Sequence, residues 1–266
     1  MDFFENEILE DIEIVQELKK HPDLKKKGKL IAQYIIEIGT YPNMEPGLLP
    51  IYVLGYLAEY VLDLNKKRGI SKDVTLDSLK DVNVWLSNYK QQYGKIGLAE
   101  FPWLINHYTG RLFRLGRLQF QLTIANPHIP SGDFMIETHI PQGEALNIEE
   151  CEKSFQLATE FFKRYYPLYS ADYFVCDSWL LNPNLAKILD EETNIVRFMR
   201  LWTNYKEHID HSGQAVERVF GFGIKRDEVA EAPEYTRLQR TLKEYLLKGG
   251  EINIYEGYYK VNDIRI

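Results

Sequence analysis

Two hydrophobic rhythms run along the chain, and they change over at Gly110. Before that point apolar residues recur every three or four positions. Ile8, Ile12, Val15 and Leu18 form the first such set, which predicts an amphipathic helix ending at His21-Pro22. A second helix is predicted over 25–38, closed by Gly39 and the Thr40-Tyr41-Pro42 turn. A third follows Pro50 through Tyr52, Leu54, Leu57, Tyr60, Val61 and Leu64, and stops at Arg68-Gly69. Residues 71–93 read as a fourth, with Thr75 as the N-cap before Leu76, Leu79, Val82 and Trp85-Leu86. A short helix over 99–107 completes a helical layer or small bundle.

Beyond Gly110 the period falls to two. Residues 111–122 predict a strand, 126–132 a loop, and 133–140 a second strand antiparallel to the first. Pro141-Gln142-Gly143-Glu144-Ala145 turns the chain, and Asn147 caps a helix through Cys151, Phe155, Ala158 and Phe162. A strand over 173–179, a short helix after Pro183 and a strand over 195–202 follow. Residues 235–247 predict a helix stopped by Gly249-Gly250, and 251–255 with 258–261 a hairpin around Glu256-Gly257. A crossover helix inside an otherwise antiparallel context predicts a mixed sheet with that helix on one face. The fold class is therefore α/β (α+β), with a helical domain at 1–108 and a sheet domain at 109–266.

Composition narrows the function classes. An apolar share of 45% and a charged share of 27% are those of a globular protein. The formal charge of −7 argues against a nucleic-acid partner and gives no pull toward anionic membranes. Two cysteines, Cys151 and Cys176, are too few for a disulfide framework or a structural zinc site. The acidic N-terminus is unlike a secretory signal and no apolar run approaches about 18 residues, so a cytoplasmic location is expected. His208 and His211 have metal-like spacing but no third ligand in sequence, so they read as a polar loop and no metal is expected.

The runs GRLFRLGRLQF (110–120), HIPQGEALNIEECEKSF (139–155) and CDSWLLNP (176–183) resemble bacterial acyltransferase-domain proteins that join a helical N-terminal domain to a GNAT-like C-terminal domain. Residues 76–85 and 94–104 fit the same pattern, so the resemblance covers nearly the whole chain. It implies a central strand whose following loop and helix N-terminus receive the pyrophosphate of acetyl-CoA or another acyl-CoA. Ile140, Gln142, Gly143, Glu144 and Ala145 occupy that loop, and Gly143-Glu144-Ala145 matches the second half of the Q/R-x-x-G-x-G/A pattern. Ile140 stands where the pattern has Gln or Arg, Pro141 lacks a backbone donor, and Glu144 adds negative charge. Ser178 and Trp179 end the strand at which the resemblance implies entry of the pantetheine arm.

Glu137 and His139 lie two apart on one strand face, where either could act as general base for an attacking amine, Glu137 first by strand position. Each could instead be an ordinary polar strand residue. Strand phase puts Cys176 with Ser178 on one face and Asp177 with Trp179 on the other. Cys176 could be a nucleophile with His139 as its base, or a small buried apolar residue. The resemblance suggests a tyrosine acid in the following helix, but 181–189 holds none, leaving Tyr205 or Tyr173. Arg114 or Arg117 could grip a phosphate or carboxylate, or pair with ions on an edge strand, and Gly116 marks a bulge or close approach. The expected function is transfer of an acyl group from acyl-CoA to an amine acceptor. The alternatives are a non-catalytic GNAT-like ligand-binding or interaction module, or a thioesterase using Cys176. A terminal hairpin would let the sheet continue into a homodimer.

Overall fold

The computed structural model describes residues 1–125, 129 and 133–261, which form two compact units. One comprises 1–115 with 141–143, the other 116–140 with 144–266. The loop expected at 126–132 lies outside the described residues apart from Ile129.

In the first unit a π-type turn (Phe4–Ile8) precedes α1 (Ile12–Leu18). The expected single helix is broken because the Asp11 side chain accepts from the Glu13 amide and starts a new one. Helix α2 (Pro22–Ile38) begins with Pro at its first turn and ends on Gly39 in the left-handed region. Helix α3 (Leu48–Lys67) is almost wholly buried along its first half, so it forms the centre of the helical layer. Close approach of α2 to α3 depends on Gly28, where an added Cβ would meet the Tyr52 Cβ at 2.5 Å. The predicted helix at 71–93 is two helices, α4 (Lys72–Leu79) and α5 (Val82–Tyr93). Ser71, not Thr75, caps α4, and Thr75 is buried with its hydroxyl bonded to the Ser71 carbonyl and the Asn65 amide. At the break, the Asp81 carboxylate accepts from the indoles of Trp85 and Trp103 at 2.9 and 3.0 Å. Helix α6 (Phe101–Tyr108) and the short β1 (Leu112–Leu115) complete the unit.

The second unit is a mixed sheet. It contains β2 (Leu118–Ile124), β3 (Phe134–His139), β4 (Ala171–Ser178), β5 (Thr203–His208) and β6 (Ile254–Lys260), in the order β2-β3-β4-β6-β5. Helix α7 (Ile148–Tyr165) crosses between the parallel pair β3 and β4 and covers one face. Asn147 caps it by accepting from the Glu150 amide at 3.0 Å. Phe155 of α7 packs edge-on to Phe120 and Phe174, at 5.7 and 4.9 Å between ring centroids, with Trp202 and Tyr259 close by. Helices α8 (Leu185–Ile188), α9 (Asn194–Met199), α10 (Gly213–Phe220) and α11 (Arg237–Leu247) flank the sheet.

Three sequence expectations fail here. The strand predicted at 111–122 is interrupted by Gly116, which turns at φ 75° with its Cα facing the Ser154 hydroxyl. Residues 195–199 lie in helix α9 and 200–202 in the turn after it, not in a strand, because Thr193 caps the helix by accepting from the Val196 amide. The terminal hairpin is one continuous strand. Gly257 pairs with Cys176 on one side and Asn204 on the other, where an added Cβ would come within 2.7 Å of Leu181 and 2.9 Å of Asn204. Its glycine serves lateral packing, not a turn. Because β6 is paired on both sides, it offers no edge through which the sheet could extend into a second copy.

Candidate active site

Strands β3 and β4 run parallel only as far as Glu137↔Val175. Beyond that pair β3 continues bonded to β2 as far as His139↔Gln119, and β4 stays bonded to β6 as far as Ser178↔Tyr255. The two central strands thus part while each remains anchored on its outer side. The result is an opening in the middle of the sheet beyond Glu137 and Val175.

Alternation sorts the side chains at this opening. Ile136, Thr138, Phe174, Cys176 and Ser178 are buried, while Glu137, His139, Val175 and Asp177 belong to the other phase. A pocket of about 200 Å³ on the sheet is walled by Thr123, Ile124, Met135, Glu137, Val175, Cys176, Asp177, Tyr205 and Glu256. Three carboxylates converge on it from three strands. The Gln121 amide donates to Glu137 at 2.7 Å, and His139 lies 3.7 Å from the same carboxylate. Glu256 accepts from Tyr205 and contacts His208, with the Lys206 ammonium at 3.3 Å. Burial pushes the Glu256 carboxyl up, but the bonds from Tyr205, His208 and Lys206 outweigh it and the net direction is down. Asp177 stands opposite Glu256 in the ladder. Its side chain reaches water, yet loss of part of its hydration raises its carboxyl, and the charges of Glu256 and Glu137 push the same way.

The predicted residues are placed unevenly. Glu137 lines the pocket and His139 stands beside it. Cys176 touches the pocket wall but is buried, and burial drives its thiol well above the ordinary range, which disfavours the thiolate. Ser178 and Trp179 are buried and outside the pocket wall. The Ser178 hydroxyl accepts from the Leu180 amide, and the Trp179 amide donates to Gln214. Arg117 is buried, and its guanidinium donates to the carbonyls of Glu144 and Ala145 at 2.7 and 3.0 Å, which shapes the turn before α7. Arg114 belongs to the helical unit, where its amide donates to Ser78. Gly143 adopts φ 118°, open to a left-handed turn, and Gln142 accepts from Asn88. Ile140, Glu144 and Ala145 flank that turn in the chain.

Asp177, His208, Glu256 and the bulged Tyr205 carried no assigned chemistry in the sequence beyond a guess for Tyr205. His208 lies in β5, not in a polar loop. Asp177, His208 and Glu256 bring ligand-type atoms within 4.8 Å of one another, a grouping that could accept a cation and that also satisfies itself through the His208–Glu256 contact. The legible clue was Asp177 two positions beyond Val175 in strand phase. Glu256 was hidden by the neighbouring glycine.

The profile of the GNAT-like C-terminal domain matches residues 112–259, and that of the N-acyltransferase N-terminal domain matches 4–110. Among solved structures, an acyltransferase in complex with CoA and 10C-teicoplanin is 27% identical with a TM-score of 0.72, over 80% of this chain and 66% of its own. An acyltransferase in complex with decanoyl-CoA and teicoplanin is 24% identical with a TM-score of 0.81, over 97% and 86%. Another, in complex with decanoyl-CoA, is 24% identical with a TM-score of 0.76, over 89% and 76%. The chain thus spans about two thirds of the first of these and more of the others. No curated protein matches. No helix among the described residues is long and apolar enough to cross a membrane. With both profiles matched in chain order, and the helical unit and parted mixed sheet each corresponding to one of them, the chain belongs to the N-acyltransferase family with a GNAT-like C-terminal domain.

Proposed function

We propose that this protein transfers an acyl group from an acyl-CoA thioester to the amine of a small-molecule acceptor. The observation that carries this reading is the parting of β3 and β4 beyond Glu137↔Val175, directly beside a carboxylate-lined pocket. The pantetheine arm enters the opening between the two strands. The thioester carbonyl then takes a hydrogen bond from a strand amide at the lip, which stabilises the oxyanion as it forms. The CoA pyrophosphate rests at the α7 N-terminus, where the helix dipole is positive, beside the Glu150 amide that Asn147 caps. Arg117 supports that end by holding the carbonyls of Glu144 and Ala145. Glu149 and Glu150 oppose phosphate binding at the same turn, although Arg197 pairs with Glu149 at 2.8 Å and offsets part of that charge.

The amine enters from the pocket side. Glu137, with His139 beside it, is positioned to hold the amine or to move its proton, directly or through water. Catalysis is mostly a matter of orientation and electrostatics, with no covalent enzyme intermediate. The related structures bind decanoyl-CoA and a teicoplanin, so medium-chain acyl-CoA donors and teicoplanin-type small-molecule acceptors are the first to try, with acetyl-CoA as the short-chain comparison.

Calorimetric titration with decanoyl-CoA and acetyl-CoA, followed by free-thiol release in the presence of primary amines, tests the proposal. Saturable binding that Ala145→Asp weakens at least tenfold is expected. A folded protein that binds neither thioester would overturn acyl transfer and leave a ligand-binding module.

A further inference from the structure

Of the three carboxylates that reach the pocket, Glu137 and Glu256 are engaged by neutral or cationic donors. Asp177 is placed differently. It lies on β4 beyond the last β3–β4 pair, on the lip of the opening, with its side chain toward water and the pocket. Its position two residues past Val175 puts it on the acceptor side of any thioester carbonyl seated between the strands. Glu256, its cross-strand partner, contacts both His208 and Tyr205, and His208 brings a nitrogen within 4.8 Å of the Asp177 carboxylate.

We infer that Asp177 is the general base of the acyl transfer, with the Glu256–His208 pair as positioning residues behind it. This rests on the acyl-transfer reading above. Glu137, whose carboxylate is already bonded to Gln121, then anchors the incoming amine instead of deprotonating it. In the step, the amine nitrogen forms a bond to the thioester carbonyl carbon and its excess proton passes to the Asp177 carboxylate. The tetrahedral intermediate collapses with cleavage of the carbon–sulfur bond. The CoA thiolate leaves and is protonated by the Asp177 carboxyl or by water, giving amide and free thiol with no other reactant.

The groups facing Asp177 are Glu137 on β3, Glu256 on β6, and Lys206 and His208 on β5, with the Cys176 thiol adjacent in its own strand. Partial dehydration and the two neighbouring carboxylates raise its carboxyl, whereas His208 and Lys206 pull it down. A raised carboxyl is a better base near neutral pH than an ordinary aspartate. Removing His208 removes a downward influence, so the acid limb of activity moves to higher pH in His208→Gln.

The test measures thiol release from decanoyl-CoA with ethanolamine as the amine, as a function of pH, alongside carboxyl-carbon NMR titration of the free protein. Asp177→Asn is expected to lower kcat/KM about 10²–10⁴-fold while decanoyl-CoA affinity is kept. It also removes one carboxyl titrating above the usual aspartate range. Glu137→Gln is expected to raise KM for the amine more than it lowers kcat. Full activity in Asp177→Asn, or an Asp177 carboxyl titrating in the ordinary range, would overturn the inference while leaving acyl transfer standing. Loss of decanoyl-CoA binding in the unaltered protein would instead overturn acyl transfer itself.

Discussion

Asp177 and Glu256 face each other across the β4–β6 ladder, yet their carboxyls are driven in opposite directions. Glu256 gathers Tyr205, His208 and Lys206 around itself, so its net direction is down despite burial. Asp177, left with the remaining negative field of Glu256 and Glu137, is raised. One residue of the pair holds the wall together. The other is kept in a state that costs some stability.

Opposite effects of neutralising the two follow from this. Glu256 has a folded-state carboxyl below its ordinary value, so its charged form stabilises the fold above about pH 4.5, and that contribution disappears as pH falls through the lowered value. Glu256→Gln is expected to cost about 1–3 kcal/mol at pH 7, the range for hydrogen bonds to a charged group. The difference from the unaltered protein should shrink as pH falls through that lowered value. Asp177 is raised, so its charge opposes folding at neutral pH, and Asp177→Asn should leave Tm unchanged or slightly higher, within about 1 kcal/mol. Thermal unfolding at pH 7 and pH 3 gives both signs.

The buried thiols make a negative prediction. Burial pushes Cys151 up to about 12 and Cys176 well above its ordinary value. Iodoacetamide at pH 8 should leave both unmodified in the folded protein and modify both after unfolding in urea, as read by intact mass. Cys176→Ala should keep thiol release from acyl-CoA within about threefold, while losing on the order of 1 kcal/mol of stability for one small buried group. Rapid alkylation of Cys176 with loss of activity would revive a cysteine mechanism.

The fate of the C-terminal strand shows where reading from sequence succeeded and where it did not. The helical layer, the crossover helix capped by Asn147 and the antiparallel β2–β3 pair were legible, because periodicity and caps are local. Gly257 was misread as a turn because a glycine is a turn signal only where the backbone needs its freedom. Here it is demanded by the Leu181 and Asn204 side chains pressing from either side, contacts that are distant in sequence. The same misreading hid Glu256, and with it the Glu256–His208 pair. Residues 195–202 were equally ambiguous, since six apolar side chains in eight positions satisfy both a two- and a 3.6-residue period. Thr193 settles it in favour of the helix.

Gly257→Val therefore tests the packing argument. A Cβ at 2.7 Å from Leu181 cannot be accommodated without displacing a buried side chain. The expected cost is about 1–3 kcal/mol from overpacking, seen as a lowered midpoint in urea with an unchanged slope. If Leu181 moves freely, the cost vanishes and the valine, a good strand former, stabilises the sheet instead.

Arg117 supplies the last prediction. Its guanidinium is buried and bonds the carbonyls of Glu144 and Ala145, while its amide takes the Ser154 hydroxyl as acceptor at 2.8 Å. The side chain thus ties the strand after Gly116 to the turn that opens α7. Lysine cannot reproduce two divergent donors from a planar fork. Arg117→Lys should lose about 2–3 kcal/mol, the range for hydrogen bonds from a charged donor. It should also weaken decanoyl-CoA binding several-fold as the turn loosens, without changing KM for the amine. Were Arg117 instead a direct phosphate ligand, the same substitution would keep the charge and leave stability nearly untouched. CoA affinity would then fall more steeply with added salt in the unaltered protein than in an Arg117→Met variant.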